Sequence, residues 1–337
     1  MLIKKEVMNR KLTIGVTGTG SLVGQAIIKC IKKSEYYKES TLIGFDYVDE
    51  TVASFWVDKN YKLSDILNKN NSHKQIVSEV INIINTEKID MLFIGIDFDL
   101  PMYAEHKKEI ESKTSAKVIV SSAEVIEIAD SKWETFKFLE LNGLNRPITY
   151  KVEGEIPESI NYPAILKPSV GASSKGVSIV NNKLEVIEKA KLLNQPILQE
   201  LIGDMNSEYT CGVVMLNGEL IDMIVLRRTL KNGDTFKAWS RKDYPEQIYS
   251  YVEELARILK PHGACNFQLR LDNNGVPKLF EINARHSGTT HFRCLFGFNE
   301  VELILNQYYP VEGFQKKPLI EGMAMRYFEE TLVEVNG

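Results

Sequence analysis

Residues 162–176, YPAILKPSVGASSKG, decide how the rest of the chain is read. An apolar run, Ala164-Ile165-Leu166, ends in Lys167-Pro168. Small residues follow: Ser169, Gly171, Ala172, Ser173, Ser174 and Gly176. Residues 177–180 then read as a second strand. A strand that delivers a lysine into a Gly/Ser hairpin suits the covering of phosphates. The lysine supplies positive charge, and backbone N–H groups free of side-chain obstruction can close over phosphate oxygens. The same residues also describe an ordinary β-hairpin with a mobile tip, so the rest of the chain must decide. The loop is not a Walker A. Gly171 and Gly176 have its glycine spacing, but Val177 stands where lysine is required.

The chain has 337 residues, enough for two or three domains. Hydrophobic residues make up 44% and charged residues 26%, an ordinary globular balance. The net charge of -4 argues against a general nucleic-acid binder. Cys30, Cys211, Cys265 and Cys294 form no C-x-x-C pair, and they read as small buried hydrophobes in a reducing cytoplasm. The first residues lack the apolar run of a signal peptide, and no stretch approaches the ~18 apolar residues of a membrane span.

Residues 12–17 are strand-like and enter Gly18-Thr19-Gly20-Ser21-Leu22-Val23-Gly24. A helix with Ala26, Ile27, Cys30 and Ile31 on one face follows, then a strand over 41–45 ending in Asp46. This is the opening of a doubly wound unit. Read for function, Gly18, Gly20 and Gly24 fit a dinucleotide turn and Asp46 a ribose, although Val23 occupies the third glycine position of G-x-G-x-x-G. Helices over 74–86 and 101–112 and strands over 90–96 and 117–120 continue the alternation, which argues for a parallel sheet. Asp97-Phe98-Asp99 sits after a strand end, where such sheets bind ligands; it also reads as solvated acids before a helix.

Beyond residue 120 the spacing predicts helices from Ser121-Ser122 to Ala129 and from 130 to 141, stopped by Asn142-Gly143. A β-rich unit begins near Asn145. Strands are expected over 196–202, 208–215 and 219–227, the last two joined through Asn217-Gly218, with a helix over 245–259. A final hairpin runs from 266–271, through Asp272-Asn273-Asn274-Gly275, to 277–283. Folding about that turn sets Gln268 opposite Glu281, and Asn283 shares the face of Glu281. Three oxygen-bearing side chains thus converge, with Arg285 beyond them. A few hard oxygen donors are what Mg²⁺ takes when phosphates and waters complete its shell. The alternative is a solvated polar face.

These segments, in this order, resemble the ATP-grasp superfamily: ADSKWETFKFLE, YPAILKPSVGASSKGV, LQELIGDMNSEY and LFEINARHSGTT, preceded by KLTIGVTGTGSLVGQ. They are similar to a single synthetase unit of the carbamoyl-phosphate synthetase large subunit. The resemblance implies an α/β and α+β chain. A Rossmann-like pre-ATP-grasp domain would span 1–115 and an ATP-grasp domain 116–310, with a small flap subdomain over about 145–202. Residues 311–337 would return to the main sheet.

The resemblance also implies roles. Lys132 and Lys167 would contact phosphates, and Ser173, Ser174 and Gly176 would lie in the flap. Glu200 and Leu201 would meet adenine, and Glu208 the ribose. Gln268, Glu281 and Asn283 would hold Mg²⁺ (or Mn²⁺), and Arg285 would steady the transferred phosphoryl group. Gln268 replaces the carboxylate more common in the superfamily. The chain is too short for a complete carbamoyl-phosphate synthetase.

The expected activity is an ATP-dependent, ADP-forming ligation of a carboxylate to an amine or thiol through an acyl phosphate. Partners would be small molecules, not nucleic acid or membrane, with a homodimer compatible. Two alternatives stand beside it: a nicotinamide-dependent oxidoreductase using Gly18, Gly20, Gly24 and Asp46, and a catalytically silent ATP-binding module. Arg285 and Arg293, with Thr289 and Thr290, are expected to line the acid pocket. Arg227 is a further candidate, and Arg228 is expected to be a surface charge.

Overall fold

The computed structural model describes residues 10–153, 156, 159–171, 175–204 and 207–333. The first sheet is parallel, in the order β3-β2-β1-β4-β5. It is built from β1 (Thr13–Thr17), β2 (Thr41–Asp46), β3 (Lys59–Lys62), β4 (Met91–Phe93) and β5 (Lys117–Ile119), with helices α1 (Leu22–Lys32), α2 (His73–Glu87) and α3 (Leu100–Lys113) between them. The reversal of strand order at β1 and β4 opens a crevice at the strands' C-terminal ends. Ser21 caps α1 by accepting from the Gly24 N–H at 2.9 Å, a contact of the kind worth about 1 kcal/mol. Gly24 itself cannot vary: a Cβ there would lie 2.1 Å from the Gly18 carbonyl oxygen.

Two helices, α4 (Ala123–Asp130) and α5 (Lys132–Leu141), lead into a four-stranded antiparallel sheet. This comprises β6 (Thr149–Lys151), β7 (Ala164–Pro168), β8 (Ser178–Val180) and β9 (Pro196–Glu200), in the order β6-β9-β7-β8, with α6 (Lys183–Ala190) between β8 and β9. Its core is small and its own: Ala164, Leu166, Val180, Val186 and Leu198 are fully buried together.

The third sheet is antiparallel and six-stranded, in the order β14-β13-β10-β11-β12-β15. Its strands are β10 (Glu208–Leu216), β11 (Glu219–Lys231), β12 (Asp234–Ser240), β13 (Gly263–Leu271), β14 (Pro277–Asn283) and β15 (Gly322–Met325). Helix α7 (Glu246–Leu259) follows β12, while α8 (Thr290–Leu295) and α9 (Glu300–Tyr308) follow β14. The apolar stripe of α7, including Ile248, Val252 and Leu255, packs with Cys211, Val213 and Phe267 of the sheet. On the other face, Ile27 and Ile31 of α1 share a core with Phe292, Val301 and Leu305. The first and third sheets are therefore held through a common apolar interior, which fixes the crevice of one against the edge of the other.

Two strands escaped the sequence reading. In β3, KNYK, no apolar alternation exists. In β12 the inward positions are Thr235, Ala238 and Ser240, small or polar, so period 2 carries no hydrophobic signal. Cys30, Cys211 and Cys265 are fully buried among apolar neighbours, as their sequence context suggested. No helix among the described residues is long and apolar enough to cross a membrane.

Candidate active site

A cleft of about 400 Å³ lies where the three sheets meet. Strand β7 brings Lys167 into it, buried, with its Nζ donating to Gln199 Oε1 at 2.8 Å and lying 5.7 Å from the Phe280 ring. Burial, reinforced by the charge on Lys132, pulls Lys167 down to about 7 against the opposing pull of Glu281. Lys132 opens α5, and its Nζ donates to the Gly171 carbonyl at 2.9 Å. The loop after β7 is tied to that helix end: Lys132 N donates to Ser169 O at 2.8 Å, and the Ser131 and Ser169 hydroxyls meet at 2.9 Å. Ser173 and Ser174 lie outside the described residues. Gly176 adopts a left-handed φ of 73° and does not line the cleft, whereas Lys175 and Val177 on either side do.

The opposite wall is the β13–β14 hairpin. Gln268 pairs directly with Glu281, and Asn266 with Asn283. A bulge after Gln268 inserts Phe280 as an extra residue, so both Phe280 and Glu281 reach the cleft. Asn283 Nδ2 donates to Glu281 Oε1 at 3.2 Å and Gln268 Nε2 to the same oxygen at 3.3 Å. The expected trio is thus brought together, with one correction. The oxygen of Gln268 accepts from Arg228 Nη2 at 2.7 Å, so Gln268 turns its amide nitrogen, not its oxygen, toward Glu281. The donors left for a cation are the Glu281 carboxylate and the Asn283 oxygen.

Glu208, expected at the ribose, lines the cleft but is held by two arginines. Arg228 reaches its Oε1 from Nε at 2.9 Å and from Nη2 at 2.5 Å, and Arg270 reaches Oε2 at 2.9 Å. Glu200 and Leu201 also line the cleft, and Glu200 accepts from the Ile148 N–H at 3.0 Å. Arg285 lines it too, paired with Asp97 from the first sheet.

The expected acid pocket needs three corrections. Arg293 is fully buried outside the cleft, bonded to Glu300, Asn266 and Ser287. Its aliphatic stem occupies space that only Gly212 leaves open, since a Cβ at 212 would lie 2.5 Å from Arg293 Cδ. Thr290 is likewise buried, its hydroxyl directed to Glu300; Thr289 alone of the pair lines the cleft. Arg227 and Arg228 are also exchanged. Adjacent strand residues face opposite ways. Arg227 is exposed against the Trp239 ring at 4.7 Å, and Arg228 is the buried cleft residue.

Asp46 answers the dinucleotide reading. It is buried, accepts from Gly20 N at 2.7 Å and Thr19 Oγ1 at 3.0 Å through Oδ2, and accepts from Tyr47 N at 2.8 Å through Oδ1. Its carboxylate closes the glycine turn on itself, and Thr51 packs where a larger residue at 20 would clash.

Gln199, Arg228, Arg270 and Phe280 were not among the site residues expected from sequence, Arg228 being read there as a surface charge. The first three are polar residues in otherwise strand-like runs. Only the pairing of Glu208 with Arg228 and Arg270 on flanking strands reveals that the two arginines share its face.

A family model described as "ATP-grasp in the biosynthetic pathway with Ter operon" matches residues 194–331. Among solved structures, carboxyaminoimidazole ribonucleotide synthase from Aspergillus clavatus, complexed with ATP, superposes with a TM-score of 0.71 at 15% identity, covering 93% of this chain and 81% of that one. The chain has the ATP-grasp fold. In sequence, it is 24% identical over 313 residues to the carbamoyl phosphate synthase large chain of Sulfolobus acidocaldarius, covering 86% of this chain but only 28% of that protein. It is 26% identical over 234 residues to D-alanine–D-alanine ligase A of Bacillus cereus, covering 61% of this chain and 76% of the ligase.

Proposed function

We propose that the chain is an ATP-dependent, ADP-forming ligase that activates a small carboxylate as an acyl phosphate and transfers the acyl group to an amine. The observation that carries this reading is the meeting of Lys132 and Lys167 with Glu281, Asn283 and Arg285 in one cleft. A carboxylate is a poor electrophile, and phosphorylation gives it a leaving group. The work left to the protein is positioning and charge neutralisation. Lys167 and Lys132 supply cationic donors to phosphate oxygens from the small sheet and α5. Glu281 and the Asn283 oxygen fit a divalent cation whose remaining positions are filled by phosphate and water. Such a cation, when bound, neutralises charge on the transferred phosphoryl group. Arg285 faces the same space from the hairpin end, and excluding water from it would protect the reactive intermediate.

Thermal shift tests the reading. Mg-ATP is expected to stabilise the wild-type protein and to lose that effect in Lys167→Ala and Glu281→Ala. An unchanged shift in both variants overturns the assignment. A panel of amino acids and small acids, read by ADP release, then identifies the substrates.

A further inference from the structure

We infer that Asp97, from the first of the three sheets that meet at the cleft, is a positioning residue for Arg285. The inference rests on the nucleotide reading above. Asp97 follows β4 at the C-terminal edge of the parallel sheet and lines the cleft. Its carboxylate meets the guanidinium side-on: Oδ1 takes Nε, and Oδ2 takes Nη2 at 2.9 Å. Arg285 Nη1 donates to the His286 carbonyl at 2.8 Å. A guanidinium has five N–H donors, so this arrangement leaves one on each Nη for a ligand. The backbone fixes the other end, with Arg285 N donating to Asn283 O at 2.8 Å. The remaining donors, one on each Nη of a residue that lines the cleft with Glu281 and Asn283, suit a terminal phosphate.

The Asp97 side chain is 50% exposed and that of Arg285 only 11%. A half-solvated pair of this kind contributes little to stability. What the fork does is remove the rotational freedom of a long side chain before the ligand arrives. A neutral or shortened residue at 97 cannot accept from both Nε and Nη2.

The test compares Mg-ADP with Mg-AMP-PNP by calorimetry. Wild-type protein is expected to prefer the triphosphate, and Arg285→Ala to reduce that preference. Asp97→Ala is expected to reduce it roughly three- to tenfold, with ADP affinity and melting temperature nearly unchanged. Asp97→Glu should restore most of the preference. The double variant should be no worse than Arg285→Ala alone, because both changes remove the same interaction. A wild-type preference in Asp97→Ala, or losses that add in the double variant, overturns the inference while leaving the ligase reading in place. Failure of the wild-type protein to bind either nucleotide overturns the ligase reading itself, and this inference with it.

Discussion

Arg228 and Glu208 face each other across β10 and β11, joined through Nε and Nη2 to one carboxylate oxygen at 2.9 and 2.5 Å. Both side chains are more than nine-tenths buried. Arg228 also holds Gln268, so one guanidinium organises the Glu208 carboxylate and the Gln268 amide together. Arg228→Ala leaves Glu208 with Arg270 as its remaining charge partner. The expected cost is about 2–4 kcal/mol of stability, read by urea unfolding, with weaker Mg-ATP binding. Arg227→Ala, which removes only an exposed stack on Trp239, should change stability by about 0.5 kcal/mol or less. Equal effects in the two variants would contradict the assignment.

Lys167 gives a proton-linkage prediction. Its folded pKa is drawn down to about 7 by burial, with the Lys132 charge adding to the effect. The unfolded chain therefore holds more protons than the folded one between about pH 7 and the ordinary lysine value of ~10.4. Across that window this group makes the nucleotide-free protein more stable as pH rises. Phosphate oxygens beside Nζ would restore the charged form, so Mg-ATP binding at pH 8 should take up a proton. Calorimetry in buffers of different ionisation heat measures this uptake, which Lys167→Met should abolish. No buffer dependence in the wild-type protein would place Lys167 away from the phosphates.

The Arg293–Glu300 pair supports the site from behind. Burial alone would raise the Glu300 pKa, but Arg293 and His286 outweigh it and hold the carboxyl well below the usual range. A lowered folded pKa contributes stability above the ordinary carboxylate value, and that stability is lost as pH falls through the folded value. Arg293→Ala should cost about 3–5 kcal/mol at neutral pH, because it leaves a buried carboxylate without its cation. Urea unfolding at pH 7 measures it, and a loss below about 1 kcal/mol would mean that Glu300 is not charged there.

What the sequence disclosed depends on range. The loop after β7, the β13–β14 hairpin and the glycine turn are local: their strands are joined by short connections, and residue parity places Glu281 and Asn283 on one face. The arginines needed distant information. Choosing between Arg227 and Arg228 requires the register of β10 on β11, a pairing between segments whose polar positions look alike in isolation. Arg293 follows directly on the small hydroxylated loop, so it reads as a pocket residue; its acid partner, Glu300, is the first residue of the next helix, and only the fold turns one toward the other. The Phe280 bulge leaves no mark in a seven-residue strand.

The last prediction concerns the glycine turn. A nicotinamide cofactor would need the Asp46 carboxylate for its ribose hydroxyls. That carboxylate already accepts from the Gly20 and Tyr47 amides and the Thr19 hydroxyl, and it is 8% exposed. Releasing it would give up all three hydrogen bonds, at about 1 kcal/mol each. NADH fluorescence titration of the wild-type protein should therefore show no saturable binding in the micromolar range. Asp46→Ala should lower stability by about 1–3 kcal/mol by the same argument, while Mg-ATP still stabilises the variant, because Asp46 does not line the cleft. Saturable NADH binding that Asp46→Ala abolishes would show instead that the turn opens to admit a dinucleotide.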